Sequence, residues 1–182
     1  MTRSKQAAKS VRDMLLSMAV VCAGAFFIFL FLPNDPDQDP VRPVQYEVEA
    51  VTASRAAPYE LLAPEGLSEE WRATSVRYRH QGEHGATWRV GFMDPDNEYA
   101  SVHQADGPAD AFVAAVTHEA EATGETVRIA GEEWAYHEGP KYDALVLRSP
   151  DVTTVVTGTA PFERLEHLAA ALAPRPGAVP AD

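Results

Sequence analysis

From Met14 to Leu32 the chain runs for 19 residues without a charge, and Ser17 and Cys22 are its only polar members. As a helix rising 1.5 Å per residue this run is about 28 Å long, close to the ~30 Å hydrocarbon core of a bilayer. It has no polar face, unlike a helix lying on a globular domain. Arg3, Lys5, Lys9 and Arg12 precede it, offset only by Asp13, whereas Asn34, Asp35, Asp37 and Asp39 follow. Basic flanks stay on the cytoplasmic side, so the N-terminus is expected inside and everything beyond Leu32 outside. The first expected partner is therefore the lipid bilayer, and the expected location is the cell membrane, crossed once. A cleaved secretory signal fits less well, because cutting after Ala23 or Ala25 leaves an apolar terminus from Phe26 to Leu32. A lipoprotein signal needs a small residue before Cys22, and Val21 stands there. The run reads as an uncleaved signal anchor.

The anchor divides the chain unevenly in charge. The 182 residues carry 15 Lys and Arg against 27 Asp and Glu, a net charge of −12. Setting aside residues 1–13 removes four bases and one acid, which leaves 11 against 26 and a net of −15 beyond them. So acidic a surface does not grip nucleic acid phosphates. The one cysteine excludes an internal disulfide, and the exported part must be stable through its core alone. Residues 33–43, PNDPDQDPVRP, hold four prolines and three aspartates and read as a semi-rigid stalk. Residues 173–182 have the composition of a disordered tail. A folded extracytoplasmic domain is expected over 44–172.

Within that domain the dominant period is two. Val76, Tyr78 and His80 alternate with Arg77 and Arg79, and Trp88, Val90 and Phe92 alternate with Arg89, Gly91 and Met93. Gly82 and Gly85 lie between them, which predicts an antiparallel hairpin. Further strands are predicted over 46–51, 59–62, 99–104, 126–130, 134–137, 144–148 and 153–157. Most connections are too short for parallel crossovers, so the sheet is expected to be mainly antiparallel. Residues 109–122 and 161–173 switch to a helical period, each with one apolar stripe that belongs on the sheet. The predicted class is α+β. Glu69-Glu70-Trp71 recurs as Glu132-Glu133-Trp134, each followed by strands and then a helix, which raises a degenerate duplication of a strand-strand-strand-helix unit.

Catalytic patterns are missing. No Gly-x-Ser-x-Gly elbow occurs, no cysteine lies beyond the anchor, and neither Gly82 nor Gly85 opens a phosphate-cradling loop. His80 and His84 bracket a hairpin tip, where a four-residue spacing does not bring ligands together as it does on a helix. The run from Asp94 to Glu98 is oxygen-rich but lacks a calcium-loop schedule. No enzyme activity, metal or cofactor is expected. One charge anomaly stands out: Arg72, Arg77, Arg79 and Arg89 fall within 18 residues whose only acid is Glu83. Arg77 and Arg79 share a strand face and Arg89 can lie across from them. That stripe suits a carboxylate or phosphate ligand, or else cross-strand pairing with acids such as Glu98. Trp71, Trp88, Trp134, Tyr78, Tyr136 and Phe92 suit an aromatic cleft and a packed core equally.

Pro64-Glu65-Gly66-Leu67, the string from Trp71 to Val76, Trp88-Arg89-Val90-Gly91-Phe92, Gly131-Glu132-Glu133-Trp134 and the string from Thr154 to Thr159 together carry a resemblance. In these, and in its basic N-terminus and single apolar run, the chain resembles the actinobacterial domain-of-unknown-function family 4245. The resemblance implies a small membrane-anchored protein and brings no catalytic or binding residues with it. The resulting expectation is a non-enzymatic envelope interaction or accessory protein that engages another envelope protein. The alternative is an extracytoplasmic module that binds a small ligand through the arginine stripe or an aromatic cleft.

Overall fold

The computed structural model describes residues 14, 16–22, 24 and 45–175, in two compact units that divide between Pro40 and Val41. In the first unit the described residues are helical and exposed. Among the described residues no helix is long and apolar enough to cross a membrane. Ten residues of the expected span, at 15, 23 and 25–32, and the whole expected stalk lie outside the described residues.

The second unit is α+β, as its periodicity predicts. Strands β2 (Arg72–Arg79), β3 (Thr87–Met93) and β4 (Tyr99–Ala105) form one meander, and β5 (Glu121–Ile129), β6 (Glu132–Glu138), β7 (Asp143–Arg148) and β8 (Thr153–Gly158) form another. They join along β4 and β8 into a seven-stranded sheet of order β2-β3-β4-β8-β7-β6-β5, antiparallel at each pairing. A separate two-stranded ribbon pairs β1 (Leu62–Pro64) with β9 (Leu172–Pro174). Ala173 and Pro174, expected in the tail, therefore belong to a strand, and the Arg175 amide continues the pairing by donating to the Leu61 carbonyl at 2.9 Å.

Helices α1 (Tyr46–Ser54) and α3 (Phe162–Ala170) cover one face of the sheet, and α2 (Ala109–Thr117) covers part of the other. The first face holds the main core, where Leu165 and Leu168 of α3 meet Trp88, Phe92, Val102, Leu145 and Val156. The second face holds a smaller core of Phe112 and Val113 against Ala105, Ala144, Val146 and Val155. Central strand β8 is buried along its whole length, as a strand covered on both faces must be.

Four expectations change. Residues 46–51 alternate like a strand but form α1, because Tyr46, Ala50 and Ala53 fall on one helical face that docks on Phe92, with the Tyr46 and Phe92 rings edge to face at 5.1 Å. The strand expected over 59–62 begins at Leu62 and runs to Pro64. Helix α2 stops at Thr117, not at 122. There Thr117 Oγ1 donates to the Val113 carbonyl at 2.8 Å and accepts from the Ala120 amide at 3.1 Å, while His118 and Glu119 turn to positive φ. Finally, a two-fold axis normal to the sheet would keep both post-meander helices on one face. α2 and α3 lie on opposite faces and β5 has no counterpart before β2, so the repeated Glu-Glu-Trp strings mark no symmetric duplication.

Candidate functional site

Because α2 lies over β4, β8 and β7, the same face of β2 and β3 is left uncovered. Three rows of residues cross it. Arg77 pairs with Arg89, which pairs with His103; Ser75 pairs with Gly91, which pairs with Ser101; Arg79 pairs with Thr87, which pairs with Ala105. A cleft of about 380 Å³ opens between these rows and α2. Arg77, Arg79 and Arg89 form one wall, Ser101 and His103 the floor, and Phe112 and Val116 of α2 the opposite wall. Tyr99, Tyr142 and His118 close one end and the β2–β3 turn, with Glu83 and His84, closes the other.

The floor is built from buried polar groups. Ser101 is fully buried and donates its hydroxyl proton to the Thr157 carbonyl at 3.0 Å. The same oxygen lies 2.9 Å from His103 Nε2. With its one proton committed, Ser101 Oγ can only accept, so Nε2 carries the hydrogen and Nδ1 keeps a free lone pair. Among the described residues Nδ1 has no hydrogen-bond partner, although the ring lines the cleft. Burial first, and the Arg89 charge second, push the His103 pKa down to about 3, so the ring is neutral near pH 7.

Arg89 is the one guanidinium of the row that is tied to a neighbour, donating to Tyr99 Oη at 2.9 Å. Tyr99 reaches it across Gly91: an added Cβ there would lie 2.8 Å from Ser75 Oγ and 3.1 Å from Tyr99 Oη. Glycine is required at this point for the ring to cross the strand. Tyr142 continues the aromatic end, 6.0 Å from Tyr99 and 5.0 Å edge-on from His118, with Lys141 Nζ 4.8 Å above its ring.

Of the four stripe arginines, the fold brings three together. Among the described residues none of Arg77, Arg79 and Arg89 has a carboxylate within 4.0 Å, so the expected pairing with Glu98 does not form. Glu98 instead accepts from the Thr159 hydroxyl. A bulge between Ala73 and Ser75 keeps Arg72 on the same face but at the far end of β2, where its guanidinium is held by the Asn97 side-chain carbonyl. The expected aromatic cleft is not made by the residues proposed for it: Trp71, Trp88, Trp134 and Phe92 are buried in the main core. Tyr78 and Tyr136 pack against it.

Among the described residues the other polar clusters find partners of their own, except that Asp94 Oδ2 is buried without a hydrogen bond, 3.8 Å from Arg164 Nε. In the turn from Asp94 to Glu98, Asp94 Oδ1 accepts from the Asp96 and Glu98 amides at 2.9 and 2.7 Å, and Arg164 pairs with Asp96 at 2.6 Å. His80 and His84 do not converge on an ion; the His84 ring instead packs 5.7 Å from Phe112. Among the described residues no group of three potential metal ligands converges. A second cavity of about 480 Å³, between β5 and α3, is lined by Arg128, Arg164, Glu163 and Glu166 and so has no net sign to offer a ligand. His103, Ser101, Tyr99 and Tyr142 escape sequence reasoning. The available signal was a serine, a histidine and a glutamine set among the apolar residues of one strand.

No curated protein and no solved structure matches the chain. A family model described as protein of unknown function, DUF4245, matches residues 6–172. Since that match takes in the uncharged run of residues 14–32 and nearly all of the domain that carries the cleft, the chain belongs to the DUF4245 family.

Proposed function

We propose that the protein is a membrane-anchored, extracytoplasmic and non-enzymatic binding module, which holds a small anionic ligand in the cleft between β2, β3, β4 and α2. One observation carries the reading. In a chain of net charge −12, Arg77, Arg79 and Arg89 line a single cleft, and among the described residues none has a carboxylate within ion-pair distance. Directly opposed like charges such as Arg77 and Arg89 destabilise a sheet, and an anion bound between them would relieve that cost. The membrane placement rests on the uncharged run of residues 14–32 and its asymmetric flanks. Docking of another envelope protein is less favoured, because among the described residues of the domain Val48 is the only large hydrophobic side chain that stands exposed, and a single side chain is no docking patch.

The test is a melting experiment on the full-length protein in nonionic detergent. Inorganic phosphate should raise the Tm of the wild type in a saturable way and leave that of an Arg77→Ala/Arg79→Ala variant unmoved, each shift being read against the same protein without phosphate. Equal phosphate responses would remove the cleft from the proposal.

A further inference from the structure

Resting on that reading of the cleft, the geometry points to a narrower ligand class: a phosphate ester of a small polyol, with its phosphate on Arg77, Arg79 and Arg89 and a hydroxyl donating to His103 Nδ1. Three guanidinium groups outnumber the two oxygens of a single carboxylate. A phosphate ester presents up to three non-bridging oxygens and can accept from all of them. His103 supplies the second requirement. Its Nε2 hydrogen is committed to Ser101, so what it offers the cleft is an acceptor, which a deprotonated phosphate ester without a hydroxyl cannot use. A ligand that fills the site must therefore bring a donor as well as a charge.

Arg89 and His103 are cross-strand neighbours whose backbones lie about 5 Å apart, so both side chains rise from adjacent positions on one face and a ligand on Arg89 has its next atoms beside His103. The third feature is the aromatic end, where Tyr99 and Tyr142 offer ring faces and phenol groups to the carbon skeleton of a polyol. A volume of about 380 Å³ suits a small molecule of this kind. The chemistry is shared by free polyol phosphates and by the headgroup of a phosphoglycerol lipid.

The experiment is calorimetric titration of the full-length protein in nonionic micelles at pH 8 with glycerol 3-phosphate and, separately, with methyl phosphate, which at that pH carries the same charge and no donor. Glycerol 3-phosphate is expected to bind at least about tenfold more tightly, the discrimination a single well-placed buried hydrogen bond provides. His103→Leu should erase that difference and leave methyl phosphate binding in place; His103→Gln, which restores an acceptor, should recover part of it. If the wild type binds the two probes equally, the polyol assignment fails while the anion site stands; if neither binds, the anion site fails too. Phosphatidylglycerol added to the micelles separates the sources: displacement of glycerol 3-phosphate supports the headgroup, and no displacement supports the free ester.

Discussion

Arg77 and Arg89 face each other across β2 and β3 with no acid between them, an arrangement that costs stability until an anion arrives. Replacing one should therefore help the empty protein. Arg77→Thr, which keeps a strand-compatible side chain, is predicted to raise unfolding stability in phosphate-free buffer by about 0.5 kcal/mol, read from the urea midpoint. A loss of stability would mean that the guanidinium is held by packing. His103 makes a second prediction. Its folded pKa of about 3 lies below the unfolded value of about 6.5, so the unfolded chain binds this proton first. The folded state consequently loses stability as pH falls from about 6.5 towards 3, and is unaffected by this group above that window. His103→Leu should flatten the decline between pH 6.5 and 4 relative to wild type, as measured by chemical denaturation at a series of pH values. Parallel curves would contradict the buried, neutral imidazole. The arginines were legible from the sequence because period two puts Arg77 and Arg79 on one face. The histidine was not, because which face of β4 opens beside α2 is a matter of tertiary placement. Arg72 stands apart from the other three at the far end of β2, where its guanidinium is held by Asn97, a separation that position in the sequence alone does not show.

At the scale of elements, the β1–β9 ribbon is fastened to the main sheet through Gln104. Its fully buried amide accepts from the Leu62 amide at 2.7 Å and donates to the Glu60 carbonyl and Thr154 Oγ1, each at 3.2 Å. Trp88 Nε1 adds a bond to the Leu62 carbonyl at 3.1 Å. Gln104→Leu leaves buried partners unpaired and should cost about 1–3 kcal/mol, with amide exchange at Leu62 accelerating more than exchange in β7. Uniform acceleration would show that the ribbon does not open separately. Glycine sets the joint between the two meanders as well: a Cβ at Gly158 would overlap the Tyr99 carbonyl oxygen, so Gly158→Ala must part β4 from β8 and should destabilise more than Gln104→Leu. The hairpin and the antiparallel order were readable because alternation and short connections admit few topologies. Helix α1 was not, since Tyr46, Val48 and Ala50 satisfy period two while Tyr46, Ala50 and Ala53 satisfy period 3.6, and only docking on Phe92 decides between them.

For the whole molecule, a proposed lipid anchor precedes an acidic domain that, among its described residues, gathers three arginines in one cleft. If the run from Met14 to Leu32 spans the bilayer, alkaline carbonate should leave the full-length chain in the membrane pellet, and proteases added to intact cells should cut it beyond Leu32; release by carbonate would dissolve that half of the account. The other half is the more specific. Equilibrium dialysis of the full-length protein in nonionic micelles against radiolabelled inorganic phosphate measures it most directly. The account predicts one saturable site per chain, lost in Arg77→Ala/Arg79→Ala with the fold intact by circular dichroism; non-saturable uptake by the wild type, or an undiminished site in that variant, would contradict it.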